Sequence, residues 1–344
     1  MNTRSAWTRL ALGVAPFALT LATTAAILMA MGENPLEAYA NLIGGGFESW
    51  AKVADVAISM VPLMLASAGM LITFAAGLWN IGVEGQMVAG ALLTTWVVQA
   101  IEAPSAVMLP LTILAGLAGG ALWGVLIGLL RTYGRVNEIF AGLGLNYVGF
   151  ALTNYLIFGP WKPPGGATMS GTEPFPRSAW MPLIGSTRAS WLALLLAVVA
   201  ILIVYVILRD TRWGLTLKAI GLNATAAYRM GVDTRRHVIF ALMACGALAG
   251  LGGSLQTTAI YHRLIPQITG GNGYLAQLVV LLSGLRAQWV PLVVLYFSAV
   301  QVGSPRLELR MLLDSSLGGV LQGAVVLFFL LVNGFRQRVG LRDR

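Results

Sequence analysis

Long apolar runs, separated by short polar or glycine-rich segments, occupy most of this chain. A run of about 20 apolar residues is long enough to cross a bilayer as a helix. Ten candidate spans follow, at about residues 10–31, 53–78, 87–101, 107–130, 138–158, 191–208, 237–260, 274–285, 290–304 and 312–335. The pattern predicts an all-α fold, a polytopic transmembrane helical bundle that forms one domain over residues 1–344.

Composition supports a membrane protein and argues against a water-soluble one. Of 344 residues, 57% are hydrophobic and 10% are charged, whereas soluble domains carry about 25% charged residues. The net charge of +9 lies in loops rather than in a soluble basic domain. It therefore indicates loops that face anionic membrane lipid, and no nucleic-acid partner is expected.

The distribution of basic residues predicts the orientation. With the N-terminus inside and ten crossings, 15 of the 22 Lys and Arg residues fall on the inner side. Short basic loops are retained in the cytoplasm, so both termini are expected to be cytoplasmic. The loop 159–190 is then external, where it either meets a binding protein or caps the bundle.

Two of the candidate spans, 274–285 and 290–304, are too short to cross about 30 Å of hydrocarbon. Either these boundaries are off, or the spans are half-length helices that meet irregular backbone lining a cavity. A polar break at 77–86 follows the second span, and another at 270–277 follows the seventh on the opposite side. The two breaks indicate an inverted repeat with broken helices, and chance similarity is the alternative.

Glycines recur at helical spacing in two of the spans. Gly116, Gly120, Gly124 and Gly128 lie four residues apart, and Gly246 and Gly250 repeat the spacing later. Small residues on one helix face let a second helix approach closely. We expect these glycines to serve packing and no chemistry.

Polar residues beside and within the apolar runs are the candidate substrate-pathway positions. The break GLWNIGVEGQM carries Trp79, Asn80, Glu84 and Gln86, and the fifth span carries Asn146, Tyr147 and Asn154. A carboxylate near hydrocarbon is costly unless it faces water, a partner or a pathway. The plainer alternatives are an ordinary solvated turn for the first set and hydrogen bonds between helices for the second.

The segment 209–236 has no apolar run long enough to cross a bilayer, and it carries six basic residues against two acidic ones. Within it, LNATAAYRM at 222–230 has small residues and a tyrosine at helical spacing, between Gly221 and Gly231. Glycines at both ends predict a short helix with its own start and stop. Such a helix in a cytoplasmic loop is suited to docking on a partner.

Several of these residues also carry a family resemblance. The pattern G-L-N-x-x-A-A-x-x-x-G resembles the cytoplasmic coupling loop of ABC-importer permeases of the branched-chain amino acid, ribose and nucleoside group. Its residues here are Gly221, Asn223, Ala226, Ala227 and Gly231. Four further blocks are similar to blocks in simple-sugar and nucleoside permeases, most of all the guanosine type. They are GLWNIGVEGQM, NEIFAGLGLNYVGFALTNYLIFGPWKPPGG, GGNGY and LQGAVVLF.

The resemblance implies a permease subunit in a bacterial cytoplasmic (inner) membrane. It implies nucleoside import, with an external binding protein, a cytoplasmic ATPase subunit and a second, related permease chain as partners. A ribose-type sugar permease or a branched-chain amino acid permease is the alternative on substrate. The five coupling-loop residues would contact the ATPase.

The chain itself lacks the residues of an enzyme. No lysine follows a glycine, so the phosphate-binding loop of an ATPase is absent. His237 and His262 have no clustered ligand partners, and we expect neither metal, cofactor nor catalytic residue. An ion-coupled secondary transporter is the rival from another class, but its only candidate carboxylates, Glu84, Glu138 and Asp314, lie near the ends of spans.

Overall fold

A computed structural model describes residues 3–164, 171–314 and 316–338. The described residues confirm the all-α fold: they form no β-strand, and only an isolated antiparallel bridge joins Leu183 to Ser190. Residues 165–170 of the expected external loop 159–190 lie outside the described residues. The α-helices are α1 (Thr3–Ala30), α2 (Pro35–Phe47), α3 (Trp50–Ala75), α4 (Val83–Ala100), α5 (Ser105–Thr132), α6 (Glu138–Phe158), α7 (Trp191–Asp210), α8 (Arg212–Arg229), α9 (Thr234–Leu255), α10 (Asn272–Leu282), α11 (Val290–Met311) and α12 (Leu317–Arg338).

Six helical segments of the described chain are long and apolar enough to cross a membrane. A seventh span results if the bent pair α1 and α2, which meet at 115°, crosses as one. The chain is therefore a multi-pass membrane protein. Ten crossings and cytoplasmic termini stay predictions. The six segments are Trp50–Ala75, Ser105–Thr132, Glu138–Phe158, Trp191–Asp210, Thr234–Ile260 and Ala287–Met311.

Two details of the span assignment are wrong. For the span 290–304 the first alternative applies, a misplaced boundary: the helix continues through Pro305 to Met311 as the 22-residue α11, because the apolar pattern does not extend over the charged residues of its last turns. The 13-residue α2 was not expected, yet Asn34 caps it by accepting from the Leu36 amide, and Pro35 occupies its first position. The other short span is confirmed, since α10 has only 11 residues.

The chain packs as two compact units. One consists of the described residues of Met1–Val56 and Leu295–Arg344, and the other is Ala57–Val294. The single permease domain over residues 1–344 stays a prediction. The second unit contains all of the site residues expected from the sequence.

In the first unit, helix contacts combine small residues with a few polar bonds. A Cβ added at Gly45 of α2 would lie 2.8 Å from the Gly303 Cα of α11. The Tyr39 hydroxyl, also on α2, donates to the Leu21 carbonyl of α1 at 2.8 Å. The short α2 is thus held to both neighbours by backbone proximity and by a hydrogen bond.

In the second unit, glycines bring the backbones of α4, α5 and α9 together. A Cβ at Gly120 of α5 would lie 1.9 Å from the Gly246 oxygen of α9, and one at Gly250 would lie 2.3 Å from the Gly116 oxygen. A Cβ at Gly90 of α4 would lie 2.1 Å from the Gly250 oxygen. The expected ridge is confirmed, and its partner is the second glycine pair found in the sequence.

This packing predicts a sharp contrast between two glycines. We expect Gly120→Ala to lower the free energy of unfolding by about 1–3 kcal/mol, since overpacking forces backbone shifts of this cost. Gly144→Ala in α6, where an added Cβ meets nothing within 4 Å, should leave stability unchanged or higher. Denaturant titration of the detergent-purified chain, followed by circular dichroism, measures both. Equal midpoints for the two variants would contradict the close α5–α9 contact.

Candidate functional site

The loop between α3 and α4 carries a fully buried asparagine. The Asn80 amide nitrogen donates to the Gln86 side-chain oxygen at 3.0 Å and to the Cys245 sulfur of α9 at 3.1 Å. The amide of Gln277 on α10 reaches the Asn80 carbonyl at 3.4 Å. Residues from three helices thus converge on one loop position.

Glu84, in the first turn of α4, is also fully buried. One carboxylate oxygen accepts from the backbone amides of Gly273 and Tyr274, at 3.0 and 3.2 Å. The first amides of a helix have no partner within it and carry partial positive charge. The Glu84 carboxylate therefore caps the start of α10.

Asn146 of α6 performs the equivalent role for α4. Its side-chain oxygen accepts from the Gly85 amide at 2.8 Å, which is one of the first-turn amides of α4. Its amide nitrogen donates to the Ile81 carbonyl at 2.9 Å and to the Tyr274 hydroxyl at 3.3 Å. One amide side chain therefore fixes both the loop and the helix that follows it.

These contacts join the two breaks in the helical pattern, 77–86 and 270–277, into one polar network. We use this name for Asn80, Glu84, Gln86, Asn146, Tyr274 and Gln277. Sequence reasoning brought forward the first four, and it missed Tyr274 and Gln277 as their partners. The block GGNGY and the second break pointed to that region without naming a contact.

The network leaves hydrogen-bonding capacity unused. Among the described atoms of the network, the Asn80 side-chain oxygen, the second Glu84 carboxylate oxygen and the Gln86 side-chain nitrogen are buried and have no hydrogen-bond partner. A buried polar atom without a partner costs about 1–3 kcal/mol, and such atoms in proteins usually contact water or a ligand. These atoms retain hydrogen-bonding capacity that a water molecule or a polar group of a substrate can use.

The remaining expected pathway residues lie outside the network. Trp79 is 48% exposed and packs edge-on against Phe74, with ring centroids 5.2 Å apart. Tyr147 is 68% exposed, and Asn154, one heptad later on α6, is exposed as well. Because successive helix residues are turned by about 100°, Asn146 faces inward while Tyr147 faces outward.

The outward side of α6 forms one continuous stripe. Its members are exposed and recur every three or four residues, which places them on one helix face. We call this set the α6 stripe: Phe140, Gly144, Tyr147, Ala151, Asn154 and Phe158. It offers aromatic faces and one amide to whatever lies beside it.

The basic segment contains the expected short helix, with a corrected start. Helix α8 is broken at Asn223, whose backbone angles are −159° and 97°, and the Asn223 side chain accepts from the Ala226 amide at 2.9 Å. Asn223, and not Gly221, therefore begins the short helix at 224–229. It ends at Gly231, which has a φ of +88°, a conformation that favours glycine.

The short helix 224–229 is exposed, and the chain just before it contacts the loop between α3 and α4. Ala226 is exposed, and Ala227 packs inward with 4% exposure. At its base, a Cβ on Gly221 would lie 2.4 Å from the Ala75 oxygen and 3.0 Å from the Gly77 nitrogen. The segment that carries the short helix thus touches the loop that carries Trp79 and Asn80.

The described part of the expected external loop packs on the far end of α9. The Phe175 amide donates to the His262 carbonyl at 2.7 Å. The Trp180 ring stacks on the His262 imidazole at 3.8 Å, with Arg177 4.6 Å above the same indole. Burial lowers the pKa of His262; a hydrogen bond with the Thr258 carbonyl opposes this shift, and Arg177 adds to it. Of the two expected roles for this loop, the contacts are those of a cap; contact with a binding protein stays a prediction.

The fold and the site together define a class, that of multi-pass helical membrane proteins in which interrupted helices hold a buried polar network. Over residues 52–330 the chain matches the family described as branched-chain amino acid transport system / permease component, and it belongs to that family. The chain is therefore a transport permease. In the described residues, no group of three His, Cys, Asp or Glu side chains is placed to hold a metal ion.

Similar curated proteins are permeases of ABC transporters for sugars and nucleosides. A glucose ABC transporter permease protein of Haloferax volcanii is 31% identical over 99% of this chain and 92% of the relative. A guanosine ABC transporter permease protein of Bacillus subtilis is 27% identical over 90% of each chain. A nucleoside ABC transporter permease protein of Lactococcus lactis is 28% identical over 82% of this chain and 80% of the relative.

The network predicts that two asparagines of α6 respond differently to the same change. Asn146→Leu should lower the free energy of unfolding by about 2–4 kcal/mol, because it leaves the Gly85 amide and the Ile81 carbonyl without partners. Asn154→Leu, on the exposed stripe, should change it by less than about 0.5 kcal/mol. Denaturant titration of the purified chain compares them. An Asn146→Leu protein as stable as Asn154→Leu would show that the amide holds nothing together.

Proposed function

We propose that this chain is the membrane-spanning subunit of an ATP-driven importer for nucleosides in a bacterial cytoplasmic membrane. An external binding protein delivers the nucleoside, a second and related permease chain completes the pore, and a cytoplasmic ATPase subunit supplies the energy. The observation that supports coupling between ATP hydrolysis and transport is the exposed short helix 224–229. Gly221, just before this helix, contacts the loop next to the polar network. The guanosine and nucleoside relatives support the substrate class.

The short helix has the form of a docking element. Asn223 and Gly231 close its two ends, and Ala227 packs against the rest of the chain while the other residues at 224–229 are exposed. The exposed small side chain of Ala226 allows it to enter a cleft in a partner. Movement of the docked helix passes through the Gly77–Gly221 backbone contact to the loop that carries Asn80.

The coupling proposal is tested by adding bulk to the short helix. Ala226→Arg should abolish nucleoside-stimulated ATP hydrolysis and uptake, because the side chain no longer fits a cleft, while the spans remain folded. The matched control is Ala219→Arg, an exposed position on the first part of α8. Reconstituted proteoliposomes with the ATPase subunit and binding protein give both readouts. Full coupled activity of Ala226→Arg, or an equal loss in Ala219→Arg, would refute a docking role.

The α6 stripe supports a path between this chain and a second permease. An amide within a span is disfavoured against lipid, since hydrocarbon offers it no hydrogen bond. Asn154 therefore faces protein or a water-filled path, and Tyr147 lies one heptad away on the same face. We propose that Trp79, Tyr147 and Asn154 border the path, and that Asn80, Glu84, Gln86 and Asn146 shape its wall from behind.

The chemistry of these groups fits a nucleoside. A flat base stacks on an aromatic ring, and ribose hydroxyls exchange hydrogen bonds with an amide. Contact in a transport path must be weak enough for release, so the external protein supplies the affinity. A simple sugar, glucose above all, is the second candidate, and the 31% identity to the Haloferax volcanii glucose permease favours it.

Uptake of labelled guanosine and labelled glucose, with the cognate binding protein and ATPase present, separates the two substrates. We expect uptake of labelled guanosine, and we expect unlabelled nucleosides to inhibit it while unlabelled glucose does not. Tyr147→Ala should reduce it roughly fivefold to tenfold through lost stacking, whereas Tyr147→Phe, which keeps the ring, should retain most of it. Glucose uptake without guanosine uptake would assign the chain to sugars. Full uptake activity of Tyr147→Ala would show that the α6 stripe does not border the substrate path.

A further inference from the structure

An open cleft of about 720 Å³ lies among the ends of α3 and α7, the first part of α8 and the loop that follows α10. Its rim is basic and its wall is apolar. We call it the basic cleft; the residues that matter for its chemistry are Leu71, Phe74, Leu208, Arg209, Lys218 and Arg286. None of these residues belongs to the polar network or to the α6 stripe.

The charges of the basic cleft are poorly balanced. Arg209, Lys218 and Arg286 line it, and no carboxylate is among the described residues that do so. Arg209 lies 3.6 Å from the exposed Asp210 carboxylate and hydrogen-bonds the Tyr205 hydroxyl. Lys218 and Arg286 are exposed and form no ion pair within the described part of the chain. The rim therefore attracts an anion.

The wall of the cleft determines which kind of anion fits. Leu71 and Phe74 belong to the last turns of α3, and Leu208 belongs to the last turn of α7, two helices that are apolar enough to cross a membrane. Because spanning helices end near the level where hydrocarbon meets water, a cleft at the ends of α3 and α7 can offer both apolar side chains and cations to one ligand. A free phosphate uses only the rim, whereas a phospholipid uses both parts.

We propose that the basic cleft binds the headgroup of an anionic phospholipid, with the upper part of an acyl chain along the partly exposed Phe74 and Leu208. That the cleft faces the cytoplasmic leaflet rests on the proposed function, but binding itself does not. Gly221 also lines the cleft, so the bound lipid touches the segment that carries the short helix 224–229. Lipid occupancy then stiffens the base of that helix.

The test uses the full-length purified chain in detergent, with phosphatidylglycerol or phosphatidylcholine of identical acyl chains added. Native mass spectrometry counts the retained lipids. The cleft variant combines Arg209→Gln, Lys218→Gln and Arg286→Gln. The control variant combines Arg212→Gln, Arg229→Gln and Arg235→Gln, which removes the same amount of charge from side chains outside the cleft lining.

We expect the wild-type chain and the control variant to retain one phosphatidylglycerol in preference to phosphatidylcholine. The cleft variant should lose that preference by roughly tenfold to a hundredfold, because each Lys or Arg beside an anionic headgroup favours binding about fivefold. Equal retention by the cleft and control variants would overturn the proposal. So would displacement of the lipid by inorganic phosphate alone, or by an added ATPase subunit, since either result assigns the cleft to another occupant. None of these readouts requires transport, so failure here is distinct from failure of the importer proposal.

Discussion

The close approach of α4, α5 and α9 is the constraint on which the second unit depends. Between helices in a membrane there is little hydrophobic driving force, so association relies on van der Waals contact and a few polar bonds. Gly90, Gly120 and Gly250 remove the side chains that would keep the three backbones apart. The same helices carry Glu84, Gln86 and Cys245, so glycine packing sets the distances within the polar network.

The polar network in turn stabilises two helix starts that interrupt the apolar pattern. Asn146 caps α4 and Glu84 caps α10, so neither helix leaves its first amides without partners in a nonpolar setting. A loop held by hydrogen bonds can rearrange at lower cost than a continuous helix. The contact between Gly77 and Gly221 places the docking segment against this adjustable part of the unit, and not against the glycine-packed helices.

Local sequence patterns predicted the structural features that depend only on residues close together in the chain. Four-residue glycine spacing predicted the α5 ridge, and bracketing glycines predicted the short helix, although its start depends on the side chain of Asn223. Heptad spacing placed Tyr147 and Asn154 on one face of α6, but it did not show that this face points outward. That direction depends on contacts of Asn146 with residues more than 60 positions away. The contact of Glu84 with Gly273 and the partners Tyr274 and Gln277 depend on residues more than 100 positions apart. No local pattern encodes either kind of contact.

Coupling to ATP hydrolysis through the exposed short helix requires this helix to lie on the cytoplasmic side and to be covered by an ATPase subunit. Thr225→Cys tests both points directly, because the native Cys245 is fully buried and gives no background labelling. A membrane-impermeant maleimide is applied to intact cells and to inverted vesicles, with and without the ATPase subunit. We expect labelling of Thr225→Cys only in inverted vesicles, and protection from labelling when the ATPase subunit is present. Labelling of Thr225→Cys in intact cells would contradict this coupling.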